Sequence, residues 1–273
     1  MVAHWVYQSI PISVNPTLSS KDVTVIIPII NINVEELEQT IRSMLACNPS
    51  QILVVTRECE YSILQEFCRA INAKNLKALM IPVANKRLQL CQAIPKVETD
   101  IVVLADGDVT WPSTILPWLL APFEYPDIGG VGTSQRTRRL KTGPLINRCI
   151  NWLAAAYIER RNFEISATHR IDGGTSCMSG RTLAVRSKII KDFAFLLGFQ
   201  EEKWGENRLQ ADDDNFVTRW LVAKGWKTWV QYNSECEIET TLEDNIRFLD
   251  QCDRWARSNW RSNYTSLVTG LWR

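Results

Sequence analysis

Twenty aperiodic residues containing Pro and Ser precede Val23 to Ile30 (VTVIIPII), a continuous β-branched run. Such a run, apolar at every position but Thr24, predicts a strand buried on both faces, as in a parallel sheet. Val34 to Leu45 then places apolar residues at Val34, Leu37, Ile41, Met44 and Leu45 behind an acidic start, which predicts a helix lying on that sheet. The alternation continues. Strands are expected at Ile52 to Val55, Ala78 to Val83 and Ile101 to Ala105, with helices at Ile63 to Ile71 and Leu88 to Ile94. Strand and helix alternating at this pitch predict a doubly wound α/β sheet with right-handed crossovers.

Beyond residue 110 the rhythm changes. Trp111-Pro112, Leu116-Pro117 and Ala121-Pro122 punctuate short helical turns, and a short strand is expected at Gly130 to Thr133. A long amphipathic segment from about Pro144 to Phe163 precedes a glycine turn at Asp172-Gly173-Gly174. A helix over Asp212 to Lys224, a strand at Thr228 to Tyr232 and a last helix over Leu242 to Trp260 follow. No linker, repeat or low-complexity tract separates the two halves, so one domain is expected.

Composition narrows the function. The 31 Lys and Arg balance 30 Asp and Glu for a net charge of +1, which gives no general attraction to nucleic acid or anionic lipid. The eight cysteines form no C-x-x-C pair and only two histidines accompany them, so a zinc site is not expected. The N-terminal MVAHWVYQSIPIS lacks a basic stretch followed by an export-length apolar run, and the thiols read as reduced, in a cytoplasmic or cytoplasm-facing protein. No window supplies the roughly 20 apolar residues of a membrane span, so any membrane contact is expected to be peripheral or through segments outside this sequence.

Three groups of residues carry candidate chemistry. Ligands of open α/β sheets lie beyond the carboxyl ends of the strands, and the fourth strand ends in Asp106-Gly107-Asp108. Two carboxylates two residues apart suit one Mg²⁺ or Mn²⁺ and the diphosphate it bridges, although an ordinary Asp-Gly turn reads the same way. Asp212-Asp213-Asp214 opens a helix; acids favour that position for dipole and capping reasons, but three together also raise one another's pKa and can poise a general base. On the last helix Gln251, Arg254 and Trp255 share a face at i, i+3 and i+4, which suits a phosphate-and-sugar ligand or, more plainly, an amphipathic edge. Some of the 11 tryptophans, among them Trp152, Trp204, Trp220, Trp226 and Trp229, are further candidates to line an acceptor cleft.

Asp106-x-Asp108, the acid run and Gln251-x-x-Arg254-Trp255 together resemble, in order and separation, the processive branch of family-2 glycosyltransferases. The likeness to the catalytic region of hyaluronan, chitin and cellulose synthases covers about Asp22 to Trp260, and is strongest for fungal hyaluronan-synthase-like proteins. The resemblance implies a GT-A fold, a Rossmann-like, mostly parallel central sheet flanked by helices. It implies an inverting, metal-dependent transfer from a UDP-sugar. The organisation it implies is an extension over 1–21, a nucleotide-sugar-binding half over 22–110, an acceptor and catalytic half over 111–260, and a tail over 261–273. Carried over by position, Pro28, Ile29 and Asn31 fall in the nucleotide-binding segment P-x-Y-N-E, with Ile30 for its Tyr and Ile32 for its Glu. Lys86 and Arg87 match the basic pair that contacts the nucleotide, and Thr56-Arg57 stand where many members have a uracil-binding Asp. Asp106 and Asp108 match the metal-binding D-x-D, Asp108 being the expected direct ligand. Ala211-Asp212-Asp213 matches the triplet that carries the base, which assigns that role to Asp213 with Asp214 as competitor, and Arg219 is also in place. Cys177, Ser179 and Gly180 fall in the acceptor segment, where Arg181 replaces the usual Pro. Gln251 and Arg254 are expected to hold the diphosphate and Trp255 to stand between donor and acceptor. A small-molecule or glycan acceptor is expected to receive one or a few sugars in β linkage. The alternatives are the soluble catalytic region of a membrane polysaccharide synthase and a module that binds nucleotide sugar or glycan without catalysis.

Overall fold

The computed structural model describes residues 2–270, Met1 and residues 271–273 lying outside. Its strands are β1 (Val23–Pro28), β2 (Gln51–Arg57), β3 (Leu76–Ile81), β4 (Ile101–Ala105), β5 (Val109–Thr110), β6 (Ile128–Thr133), β7 (Gln135–Thr137), β8 (Thr182–Arg186), β9 (Lys203–Trp204), β10 (Asn207–Arg208), β11 (Lys227–Gln231) and β12 (Ile238–Thr240). Its helices are α1 (Val2–Trp5), α2 (Val34–Ala46), α3 (Tyr61–Ile71), α4 (Lys86–Ala93), α5 (Ile115–Leu120), α6 (Leu145–Asp172), α7 (Ser187–Ile190), α8 (Phe193–Glu201), α9 (Asp213–Ala223) and α10 (Arg247–Val268).

A seven-stranded sheet in the order β11-β6-β8-β4-β1-β2-β3 forms the centre. The pairs β1–β2, β2–β3, β1–β4 and β6–β11 are parallel, whereas β8 runs antiparallel between β4 and β6. Each continuous apolar run divides its residues between two cores by simple alternation. Val25 and Ile27 of β1 face one side with Leu37, Ile41 and Met44 of α2 and Leu64 of α3. Ile26 faces the other with Leu90 of α4, Phe195 and Phe199 of α8 and Leu221 of α9. That two-sided burial is why these strands show no polar alternation in sequence. At β6 the packing is tight enough to require glycine: a Cβ at Gly130 would stand 2.5 Å from Leu221 Cδ1.

Several boundaries differ from expectation. β1 ends at Pro28, whose missing N–H cannot extend the ladder, and β3 begins two residues earlier than its apolar run. The sheet strand β8 and the helix α8 were not expected. α6 runs nine residues past Phe163 and is closed by Gly173, whose φ of +75° the glycine allows and whose N–H bonds to His169 O at 2.9 Å. α10 begins at Arg247 and passes the 260 boundary to Val268, so residues 261–268 continue the helix. Residues of the 1–21 segment lace two elements together: His4 Nδ1 and Ser166 Oγ of α6 lie 2.7 Å apart, and Ile10 N–H donates to Gln231 Oε1 of β11 at 3.0 Å. No helix among the described residues is long and apolar enough to cross a membrane, and the eight cysteines are free thiols.

His169 sits in this seam, donating from Nε2 to the Thr228 carbonyl at 2.7 Å and packed edge-on to Trp229. Burial holds its pKa below the ordinary histidine value. A depressed pKa in the folded chain means the unfolded chain binds the proton first, so this contribution to stability is present above about pH 6.5 and lost as pH falls below it. Melting curves are therefore expected to show a lower Tm at pH 5 than at pH 7, with a shallower dependence in His169→Gln. An unchanged slope in the variant would remove His169 from the acid sensitivity.

Candidate active site

The carboxyl ends of β1 and β4, the starts of α4 and α9, and one face each of α6 and α10 enclose a half-open cavity of about 470 Å³. Asp106 and Asp108 leave β4 beside the point where β1 and β4 diverge, the position at which a doubly wound sheet opens a crevice. The first residue of α4, Lys86, reaches between two acidic segments. Its Nζ lies 2.8 Å from Asp106 Oδ1 and 3.0 Å from Asp213 Oδ2. Burial opposes the ammonium, but Asp106 and Asp213 outweigh it and raise its pKa.

The three consecutive acids divide into different roles. Asp212 has a left-handed backbone, φ +64°, uncommon for a residue with a side chain, and its carboxylate is held by Ser258 and Arg261 of α10. Asp213, 6% exposed, is the first residue of α9 and meets Lys86. Asp214 accepts from the Gly180 N–H at 3.3 Å and the Asn215 N–H at 2.8 Å. The Asp213 pKa is raised, chiefly by burial, with Lys86 pulling it down and Asp214 and Asp106 pushing it up. Burial therefore exceeds the mutual repulsion expected from the sequence. Gly180 allows this approach, since a Cβ there would lie 3.3 Å from Asp213 Oδ2 and from Asp214 Cβ.

Asp108 is the group with unmet demand. Burial and the neighbouring Asp106 push its pKa up to about 7, against the pull of Arg181, and its Oδ1 is buried with no hydrogen-bond partner. A buried carboxylate oxygen without a donor, beside a second carboxylate, fits a divalent cation that prefers oxygen ligands. No cluster of three or more His, Cys, Asp or Glu suited to a metal occurs among the described residues. With only Asp106 and Asp108 as carboxylate ligands, such an ion would keep coordination positions open for phosphate and water.

Gln251, Arg254 and Trp255 line the same cavity from α10, as do Cys177, Ser179 and Gly180 from the segment before β8. Gln251 Oε1 is a second buried atom without a partner. Trp255 stacks with Tyr157 of α6, ring centroids 5.4 Å apart, and the Arg181 guanidinium lies 5.1 Å from the Trp255 ring centre. Arg181 also donates to Gln135 Oε1 at 3.0 Å. Gln135, Tyr157, Arg161 and Asn162 line the cavity and were not singled out in the sequence; the amphipathic segment carrying three of them was the available signal.

Other expected residues do not reach the cavity. Of the Pro28-to-Asn31 segment only Ile30 lines it; Ile29 is buried, its carbonyl accepting from Gln89 Nε2, and Asn31 accepts from Arg57 on the exterior. Trp152, Trp204, Trp220, Trp226 and Trp229 are also absent from its lining. Arg87 is 1% exposed and faces away from it, donating to the carbonyls of Phe199, Ala211 and Asp212 and to Glu202 Oε2. It braces the turn that presents Asp213, while Arg219 pairs with the same Glu202. Breaking a buried pair of this kind costs about 3–5 kcal/mol. Arg87→Met is therefore expected to lower the Tm by several degrees in a thermal melt, and an unchanged Tm would contradict the bracing role.

The paired carboxylates at the topological switch of a crossover sheet, with a buried acid opposite, make this cavity the candidate active site. A sequence model of the glycosyltransferase like family 2 matches residues 20–258, and the chain belongs to that family. It is 60% identical over 268 residues to a type 2 glycosyltransferase of Gibberella zeae, covering 98% of this chain and 51% of that protein. Human hyaluronan synthase 3 is 25% identical over 178 residues, covering 63% of this chain and 30% of the synthase. The chain thus spans about half the length of the fungal relative. Among solved structures, GalNAc-T7 with UDP, GalNAc and Mn²⁺ superposes with a TM-score of 0.53 at 11% identity, over 81% of this chain and 43% of that one. The fold is accordingly the expected GT-A type.

Proposed function

We propose that this chain transfers a sugar from a UDP-sugar to an acceptor hydroxyl by a single inverting displacement. The observation that carries the reading is the Lys86 bridge, which sets the buried Asp213 carboxylate beside Asp106 of the paired acids. Asp213 takes the acceptor proton as the hydroxyl oxygen attacks the anomeric carbon; that carbon's bond to the diphosphate breaks, and its electron pair leaves with UDP. Attack opposite the leaving group turns an α-linked donor into a β-linked product. A divalent cation held by Asp106 and Asp108 would neutralise the charge developing on the leaving diphosphate. Lys86 pulls the Asp213 pKa down against burial, Gln251 and Arg254 hold the diphosphate, and Trp255 with Cys177, Ser179 and Gly180 borders the acceptor. The free thiols favour a cytoplasmic setting.

The acceptor is a small molecule or glycan in this reading. A second reading, the catalytic region of a membrane polysaccharide synthase, is favoured by the similarity to human hyaluronan synthase 3. A panel of UDP-sugars assayed for UDP release with Mn²⁺ or Mg²⁺ tests the proposal. One donor is expected to support metal-dependent release that rises with an added acceptor. UDP binding with no release from any donor would instead mark a binding module.

A further inference from the structure

Asp212, the residue before the assigned base, breaks two rules of local structure. An acid at the N-cap of a helix ordinarily has extended backbone and accepts an N–H of the first turn. Asp212 is the N-cap of α9 but its side chain makes no such bond, and its backbone is left-handed at φ +64° and ψ +33°. That region is costly for a residue with a Cβ, and such strain persists only where the surroundings over-determine it. The surroundings here belong to α10. Ser258 donates to one carboxylate oxygen of Asp212, and Arg261 pairs with the other. Asn215, in the first turn of α9, donates from Nδ2 to the same Ser258 Oγ at 3.1 Å, and Arg219 one turn on meets Ser262. From the other side Arg87 donates to the Ala211 and Asp212 carbonyls at 2.8 and 3.1 Å.

The consequence falls on the next residue. One peptide unit joins Asp212 to Asp213, so the direction of the Asp213 carboxylate follows the backbone angles of Asp212. Relaxing φ from +64° into the ordinary negative range would redirect Asp213 away from Lys86 Nζ, which it meets at 3.0 Å. Gln251, Arg254, Ser258 and Arg261 recur at steps of three and four along one face of α10. Gln251 and Arg254 line the cavity, and Ser258 and Arg261 grip Asp212. We propose that Asp212 is a positioning residue: Ser258 and Arg261 hold its left-handed turn, and that turn sets Asp213 where it takes the acceptor proton. The inference rests on the transferase reading and adds to it the device that places the base.

A double-mutant cycle separates this role from a merely structural one. UDP release from the UDP-sugar found active in the panel is measured with Mn²⁺ for Asp212→Gly, alone and combined with Asp213→Asn, and UDP affinity is measured by calorimetry. Glycine adopts the left-handed turn without cost, so the variant is expected to fold while losing the grip of α10. Its kcat is expected to fall by about 10²-fold, the loss that a shift of about 1 Å in a reacting group produces. Where Asp213→Asn has already removed the base, the same change is expected to lower the residual rate by less than about threefold. Asp212→Asn tolerates left-handed backbone and keeps an oxygen for Ser258, so its kcat is expected to stay within about tenfold of the unsubstituted chain. UDP affinity is expected to be retained throughout. An unchanged kcat in Asp212→Gly, equal losses with and without Asp213, a UDP affinity that falls as far as kcat, or an Asp212→Asn no faster than Asp212→Gly overturns the inference and leaves the transferase reading standing. An unsubstituted chain that releases UDP from no donor removes the transferase reading and this role with it.

Discussion

The Asp213→Asn substitution is expected to slow sugar transfer by about 10²–10⁴-fold, the usual contribution of a positioned general base. Asn fills the same volume and can still accept from Lys86, whose second partner Asp106 stays in place at 2.8 Å. Fold and UDP affinity are therefore expected to be retained. The neighbouring Asp214 gives the control. Its two carboxylate oxygens each accept one backbone N–H, from Gly180 and from Asn215, and the amide oxygen of an Asn keeps one of these bonds, so Asp214→Asn is expected to lose far less rate. Steady-state rates with both variants decide the assignment. Inactive Asp214→Asn beside active Asp213→Asn would move the base by one residue.

Removing the divalent ion is the second large effect. Two carboxylates at Asp106 and Asp108, one with an unpartnered buried oxygen, are poorly satisfied by protein alone. The charge neutralisation that a cation supplies to a leaving group is worth several kcal/mol, so EDTA is expected to lower transfer by roughly 10³-fold or more. Mn²⁺ or Mg²⁺ should restore it. Asp108→Ala should show the same loss without restoration at ordinary metal concentrations. Full activity in EDTA, or in Asp108→Ala, would remove the metal from the mechanism.

The parts of the fold that could be read from sequence were those whose signal is local. β1, β2 and β4 declare themselves because both faces are buried, so their central positions form nearly unbroken apolar runs, and the acids after β4 inherit their place from that assignment. β8 is not legible in the sequence because its five residues, TLAVR, form too short a run to carry a pattern, and its antiparallel insertion between β4 and β6 is a tertiary choice. Side-chain direction was less legible still. Lys86 and Arg87 are adjacent, yet one enters the cavity and the other braces the loop behind it, because successive residues on a helix point about 100° apart. The same limit separates Asp212, tied to α10, from Asp213, and it hides Arg161 on α6, whose relevance depends on where that helix lies.

Inverting transfer from a UDP-sugar leaves its mark in the configuration of the product. The purified product of a reaction with the donor found active in the panel, taken to low conversion with metal present, can be examined by proton NMR at its new anomeric centre. A β linkage formed from the α-configured donor is expected, with UDP released in equal amount. An α-linked product would contradict the single displacement and with it the role given to Asp213.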